Sequence, residues 1–152
     1  MRIFSSMETS ASGLTAQRLR LDVIASNLAN AESTRTESGG PYRRKITLFS
    51  PRTQDRFPFR TILLSKIPGA QVPSYPLGVQ VTGVVEDESP LRRVYVPGHP
   101  DADADGYVTY PNVNVVTEMV DMMAATRSYE ANVTAMEAAK AMIQRALDMF
   151  RS

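Results

Sequence analysis

The sequence predicts an α+β chain in which long N- and C-terminal helices pair as a coiled-coil-like bundle around a small β-rich insert. Three observations carry that prediction. Apolar residues recur at helical spacing at both ends of the chain. Between them, Glu32 to Tyr110 holds all but one of the 10 prolines and all but one of the 8 glycines. The same stretch contains short β-branched runs bordered by turn residues. The chain therefore divides into an N-terminal helix (1–34), a β-rich and loop insert (35–110) and a long C-terminal helix (111–152) that packs on the first.

The first helix is predicted from Phe4 to Asn30. Met7, Leu14, Leu21 and Leu28 mark one face at seven-residue intervals, with Ala11, Ile24 and Ala25 beside them. Ser5, three residues before Glu8, fits a capping box in which hydroxyl and carboxylate reciprocally satisfy first-turn amides. Gly13 costs such a helix about 1 kcal/mol relative to alanine; close approach of another backbone is the expected compensation.

In the insert, Lys45 to Phe49, Gly78 to Val85 and Arg92 to Val96 read as strands. The last two are expected to form a hairpin through Glu86-Asp87-Glu88-Ser89-Pro90. Ser50 to Pro76, with Pro51, Pro58, Pro68, Pro73 and Pro76, reads as loop or an extended excursion.

After Pro111, either Asn112 or Asn114 can cap the second helix, leaving Glu118 and Asp121 near the positive end of its dipole. From there Val115, Met119, Met122, Thr126, Tyr129, Val133, Met136, Lys140, Ile143, Leu147 and Phe150 alternate steps of four and three. At 1.5 Å per residue, some 36 residues free of Gly and Pro reach about 54 Å. Ala131, Ala135, Ala138, Met142 and Met149 form a second row beside the first, so the helix has more than one neighbour to meet.

Composition excludes several kinds of function. Lys and Arg number 17 against 16 Asp and Glu, so a net charge of +1 lacks the bulk field of a general nucleic-acid or anionic-membrane binder. Without cysteine there is no disulfide framework, thiolate metal site or Cys nucleophile. The N-terminus lacks the apolar run of a cleavable signal peptide, and no stretch approaches the length of a membrane span.

Chemical motifs are weak. Asp101-Ala102-Asp103-Ala104-Asp105-Gly106 matches half of a calcium loop, but Asn112 stands where a bidentate Glu is needed and Pro97 and Pro100 prevent a leading helix, so the run reads as an acidic turn. His99 is the single histidine, flanked by Gly98 and Pro100, and reads as a loop residue with no second imidazole to complete a zinc site. No nucleophile elbow, phosphate loop or dinucleotide fingerprint is present. Neither catalysis nor a cofactor or metal is expected.

Arg43, Arg44 and Lys45, with Arg35, Arg52, Arg56 and Arg60, make the first part of the insert basic, whereas Glu86, Asp87, Glu88, Asp101, Asp103 and Asp105 make the second part acidic. Tyr42, Phe49, Phe57 and Phe59 among the cations could stack on single-stranded nucleic acid, but the acidic half would repel the same backbone. Docking of basic insert on acidic insert between copies, through Arg43, Arg44, Lys45, Asp101, Asp103 and Asp105, accommodates both halves.

The helical seams pose the larger question. An apolar face stabilises only when covered, at about 25 cal/mol per Å², and a Pro-rich insert cannot cover two such helices along their length. The helices must pair with each other and with helices of other subunits.

Particular residues agree. Ala25-Ser26-Asn27-Leu28-Ala29-Asn30-Ala31, continuing through Glu32-Ser33-Thr34, resembles the Ser-Asn-x-x-Asn signature near the N-terminus of bacterial flagellar axial proteins, the rod and hook components. Gly40-Pro41-Tyr42-Arg43-Arg44-Lys45, the run from Pro97 to Val108, the run from Pro111 to Val120, and Arg127-Ser128-Tyr129-Glu130-Ala131-Asn132-Val133 resemble the proximal-rod branch of that family. Residues 50–76 match nothing in it.

The resemblance implies a structural subunit of the basal-body proximal rod, exported unfolded through the flagellar type III apparatus without signal cleavage and placed in the rod crossing the periplasm. Implied partners are other rod proteins of the FlgB, FlgF and FlgG types, the ring-to-rod junction protein and copies of the chain itself; nucleic acid and small-molecule substrates are not implied. Met7, Leu14, Leu21, Leu28, Met122, Tyr129, Val133, Met136, Ile143 and Leu147 would then pack within and between subunits, and Ser26, Asn27 and Asn30 would carry the family motif, the asparagines capping or cross-linking the helix end. The seams without the resemblance also fit a coiled-coil adaptor or chaperone of a secretion system.

Overall fold

The structure, a computed structural model, describes residues 2–37, 39–53, 63, 66 and 76–151. It is α+β: helix α1 (Arg2–Ala29), strands β1 (Lys45–Thr53), β2 (Pro76–Glu86), β3 (Arg92–Tyr95) and β4 (Tyr107–Tyr110), and helix α2 (Val115–Arg151).

Helix α1 spans 28 residues and is already under way at Arg2, so Ser5 is a residue of the helix rather than its cap. Ser5 and Glu8, expected as a capping box, therefore do not mark the helix start, and the Ser5 carbonyl accepts the Thr9 hydroxyl at 2.8 Å within the helix. Helix α2 spans 37 residues. Of its two candidate caps Asn114 serves, its Oδ1 accepting the amides of Val116 and Thr117 at 3.0 and 3.2 Å.

The helices run antiparallel: Asn27 meets Glu118, Arg20 meets Asp121, and Asn132 lies against Gly13. A Cβ on Gly13 would stand 3.0 Å from the Asn132 amide nitrogen, so the close neighbour is a side chain and not the backbone expected from sequence. On α2 the inward row is Glu118, Ala125, Asn132 and Ala139, with Ala125 fully buried; on α1 Gly13, Arg20 and Asn27 meet it, and Ala16, Val23 and Ile24 are buried beside them. Small residues let the helix axes approach closely, which displaces the larger apolar seam to the borders: Met122, Tyr129, Val133, Met136 and Ile143 are half-buried, while Met119 and Leu147 are exposed.

Strands β1 and β2 form an antiparallel ribbon running in register from Lys45↔Glu86 to Thr53↔Pro76, with irregularities at Leu48/Phe49 and Pro51/Thr53. Ser50 to Thr53, expected as loop, are thus strand; the remainder of the Pro-rich stretch, including Arg56, Phe57, Phe59 and Arg60, falls outside the described residues apart from Leu63 and Lys66. Strand β3 pairs with β4 and not with β2. Glu86 to Pro90 therefore joins two separate sheets instead of turning a hairpin. The β4 partner was hidden because it is only four residues long and follows the acidic turn.

The ribbon is fixed to α1 at a second place. The Ser12 hydroxyl donates to the Thr9 carbonyl at 2.7 Å and accepts the Val79 amide at 3.1 Å. Gly78 beside it has φ +114°, and a Cβ there would enter the Ser12 hydroxyl.

Candidate functional site

Where the end of α1, the start of β1 and the first turn of α2 converge, a polar joint is buried. Asn27 is 1% exposed and uses its whole amide. Its Nδ2 donates to the Lys45 carbonyl at 2.9 Å and to Glu118 Oε2 at 3.0 Å; its Oδ1 accepts the Lys45 amide at 2.9 Å and the Tyr42 hydroxyl at 3.0 Å. The side chain thus pairs with Lys45 as the backbone of another strand would, and nothing on it is left unsatisfied.

Glu118, equally buried, presents its other oxygen to Arg44 Nε at 2.6 Å. The same guanidinium lies 3.5 Å from Asp121 and 3.7 Å from Asp87, and Asp121 also receives Arg20 at 3.1 Å. Burial alone would lower the Arg44 guanidinium, but the hydrogen bond and charge of Glu118, with Asp121 and Asp87, outweigh it and hold the group above its ordinary value. Hydrogen bonds from Ser89, backed by the charge of Arg44, hold the Asp87 carboxyl below its ordinary range. Asn112 closes the joint: its Oδ1 accepts the Arg44 amide at 2.8 Å, while its Nδ2 reaches the Asp87 carbonyl and the Ser89 hydroxyl at 3.1 and 2.9 Å.

Asn30 and Ser26 sit at the edge of this joint. Asn30 Nδ2 donates to the Ser26 carbonyl at 2.9 Å and its Oδ1 accepts the Ser33 hydroxyl at 3.2 Å, closing the last turn of α1. The Ser26 hydroxyl lies 3.4 Å from that of Tyr42. Sequence reasoning assigned the helix end to Asn27 and Asn30, but it considered Asn112 as a helix cap, Tyr42 as a stacking ring and Glu118 as a dipole residue, not as members of one joint. An acidic residue inside an apolar stretch was the available signal; its partner Arg44 is 74 residues away.

The residues considered for charge docking differ in what they already touch within the chain. Arg44 is committed to the joint, Arg43 donates to the Asp87 carbonyl at 3.4 Å, and Lys45 Nζ lies over the Tyr42 ring at 5.7 Å. Asp101 accepts the Thr34 hydroxyl at 2.8 Å, Asp103 pairs with Arg93 at 3.3 Å, and Asp105 is exposed. His99 is a loop residue, its Nδ1 accepting the Asp101 amide at 3.1 Å and its ring edge-on to Tyr110. Among the described residues no three His, Asp or Glu side chains come together to hold a metal, and no helix is long and apolar enough to cross a membrane.

A second feature faces outward. Met7, Leu14, Leu21 and Leu28 lie half-buried along α1. On α2, opposite Glu118, Val116, Met119, Val120 and Met123 are 70, 52, 56 and 55% exposed. Their spacing places them on one side of the first two turns. Met142, Leu147 and Met149 repeat the exposure near the other end.

Comparison with known proteins follows the same outline. A family model described as "Flagella basal body rod protein" matches residues 7–35, and one described as "Flagellar basal body rod FlgEFG protein C-terminal" matches 104–149. The chain is 46% identical to flagellar basal-body rod protein FlgC of Borreliella burgdorferi over 97% of each chain. It is 46% identical to that of Bacillus subtilis, over 98% of this chain and 99% of the relative, and 42% identical to that of Escherichia coli over 98% of each.

Proposed function

The chain belongs to the bacterial flagellar basal-body rod protein family, and from that membership we propose a subunit of the proximal rod that assembles through the outward faces of its terminal helices. Its role is structural and not enzymatic, and it works in the basal body together with other rod components. The observation that carries the assembly mechanism is the uncovered stripe of Val116, Met119, Val120 and Met123. A contiguous apolar strip on a polar subunit marks a contact surface. Covering each such side chain is worth roughly 1.5–3 kcal/mol at full burial.

Copies of the chain, rod proteins of the FlgB, FlgF and FlgG types and the ring-to-rod junction protein are the partners that would cover it. The chain reaches them through the type III export apparatus without signal cleavage, in the part of the rod that crosses the periplasm; the absence of cysteine leaves no cross-link to hinder threading. Within the assembly the helices carry torque, and the β1–β2 ribbon and β3–β4 hairpin fill the outer layer. Any charge docking between copies leaves out Arg44, which is held in the buried joint by Glu118.

Mass spectrometry of purified basal bodies tests the placement: the wild-type chain is expected in the rod fraction. Val120→Asp tests the mechanism, since it puts a charge on the stripe without touching the α1–α2 contact. It is expected to fold, to be exported and to be missing from rods, leaving cells non-motile; normal motility would refute assembly through this face.

A further inference from the structure

The contact between α1 and α2 repeats every seven residues. Asn27 meets Glu118 and Asn132 lies against Gly13, and the two meetings are two heptads apart on each helix. Ala125 and Ala139 continue the α2 row and are buried. Alanine has no shape that distinguishes one heptad from the next, so Ala125 and Ala139 by themselves select register only weakly.

We propose that Asn27, Arg44 and Glu118 determine the register of α1 on α2 and, through Lys45, pass it on to the β1–β2 ribbon. In the observed register the Asn27 amide satisfies Lys45, Tyr42 and Glu118 at once, and Arg44 faces the charge of Glu118. Slid one heptad in one direction, Asn27 faces Ala125 and Glu118 loses its bond from Asn27. Slid the other way, Asn27 faces the residues before α2 and Gly13 faces Ala125. Either slide leaves buried polar groups without partners, and each such group disfavours the slid state about tenfold or more. A single buried polar position is a known means of choosing register in paired helices, at a cost in stability. One heptad amounts to about 10.5 Å along the axis. The consequence for rod assembly rests on the reading above, since a slid subunit would present its stripe at the wrong height; the register claim itself does not depend on it.

Because the chain has no cysteine, paired cysteines read the register directly in the full-length protein. Gly13→Cys with Asn132→Cys reports the observed register; Gly13→Cys with Ala139→Cys, and Gly13→Cys with Ala125→Cys, report the two slides. After oxidation with copper phenanthroline and non-reducing electrophoresis, only the first pair is expected to close in the otherwise native chain, and failure of that pair overturns the register. Adding Asn27→Leu, Arg44→Met and Glu118→Leu together is expected to raise the slid products at least about tenfold. A triple variant that keeps its helical circular dichroism yet closes only 13/132 overturns the proposal. If the triple variant loses its helical signal, Glu118→Gln is read instead: it keeps the shape and removes the charge facing Arg44. Slid product above the native level is expected, and none overturns the proposal. Ala16→Gly separates register from stability, because it weakens helix α1 at a buried position and leaves the polar joint intact; it is expected to give no slid product, and equal slippage there overturns the assignment.

Discussion

Gly78→Ala is expected to cost the fold about 2–4 kcal/mol, from backbone strain of about 1–3 kcal/mol and one lost hydrogen bond of about 1 kcal/mol. The strain arises because φ at this position is +114°, where an L side chain is held against its preference. The hydrogen bond is lost because the new Cβ enters the Ser12 hydroxyl, while the Thr9 Cα, 3.3 Å away, prevents retreat toward α1. The hydroxyl must turn away, and the Val79 amide that it accepts at 3.1 Å loses its partner. Thermal unfolding followed by circular dichroism should place the midpoint about 5–15 °C below wild type, at the shift per kcal/mol expected for a chain of this size. Gly83→Ala is the control: its φ is ordinary and nothing lies within 4 Å of its added Cβ, so its midpoint should stay near or slightly above wild type. Equal midpoints for the two variants would refute the claim that Gly78 is required by the approach of α1 to β2.

Asn27→Ala leaves Lys45, Tyr42 and Glu118 short of partners and is expected to cost about 3–5 kcal/mol in urea unfolding, whereas Asn30→Ala, at the half-exposed helix end, should cost about 0.5–1 kcal/mol. Ala125→Leu puts three carbons into a contact that has no free surface and should lower stability by about 3 kcal/mol or push the helices apart, the latter visible as a loss of the 13/132 cross-link described above. The pH dependence follows from Asp87. Its carboxyl is held below the ordinary range, so the stability it contributes is full above about pH 4 and is lost as pH falls through the lowered native value. The difference in urea midpoint between wild type and Asp87→Asn should therefore be present at pH 7 and vanish at strongly acidic pH; a difference that persists in acid would contradict this.

The two long helices were legible because their periodicity is local, and so was the cap at Asn114, where a short polar side chain precedes an apolar run. Strand pairing was not legible in the same way. Glu86 to Pro90 has the composition of a turn between two β-branched runs, yet β2 returns to β1, and the choice rests on contacts with Ser12 and Asn27 that lie far away in sequence. The inward row of α2 is carried by its small residues, with the large apolar seam at its borders. Hydrophobic periodicity weights methionine and leucine, whereas close antiparallel approach favours Ala125 and Ala139. In the joint, Asn27 was identified from a motif, but the burial of Glu118 depends on Arg44, and a charged pair separated by 74 residues leaves no local trace.

The pairing of Asn27 with Lys45 also bears on how these subunits stay apart before they assemble. At Lys45 the backbone amide and carbonyl point away from β2, as the bond from the Asp87 amide to the Arg44 carbonyl on the other side indicates. Left open, they would offer the strand of a second molecule a place to add. The Asn27 amide occupies both groups with a side chain of the molecule's own helix. The first rung of an aggregation template is thereby closed without spending a further strand on it.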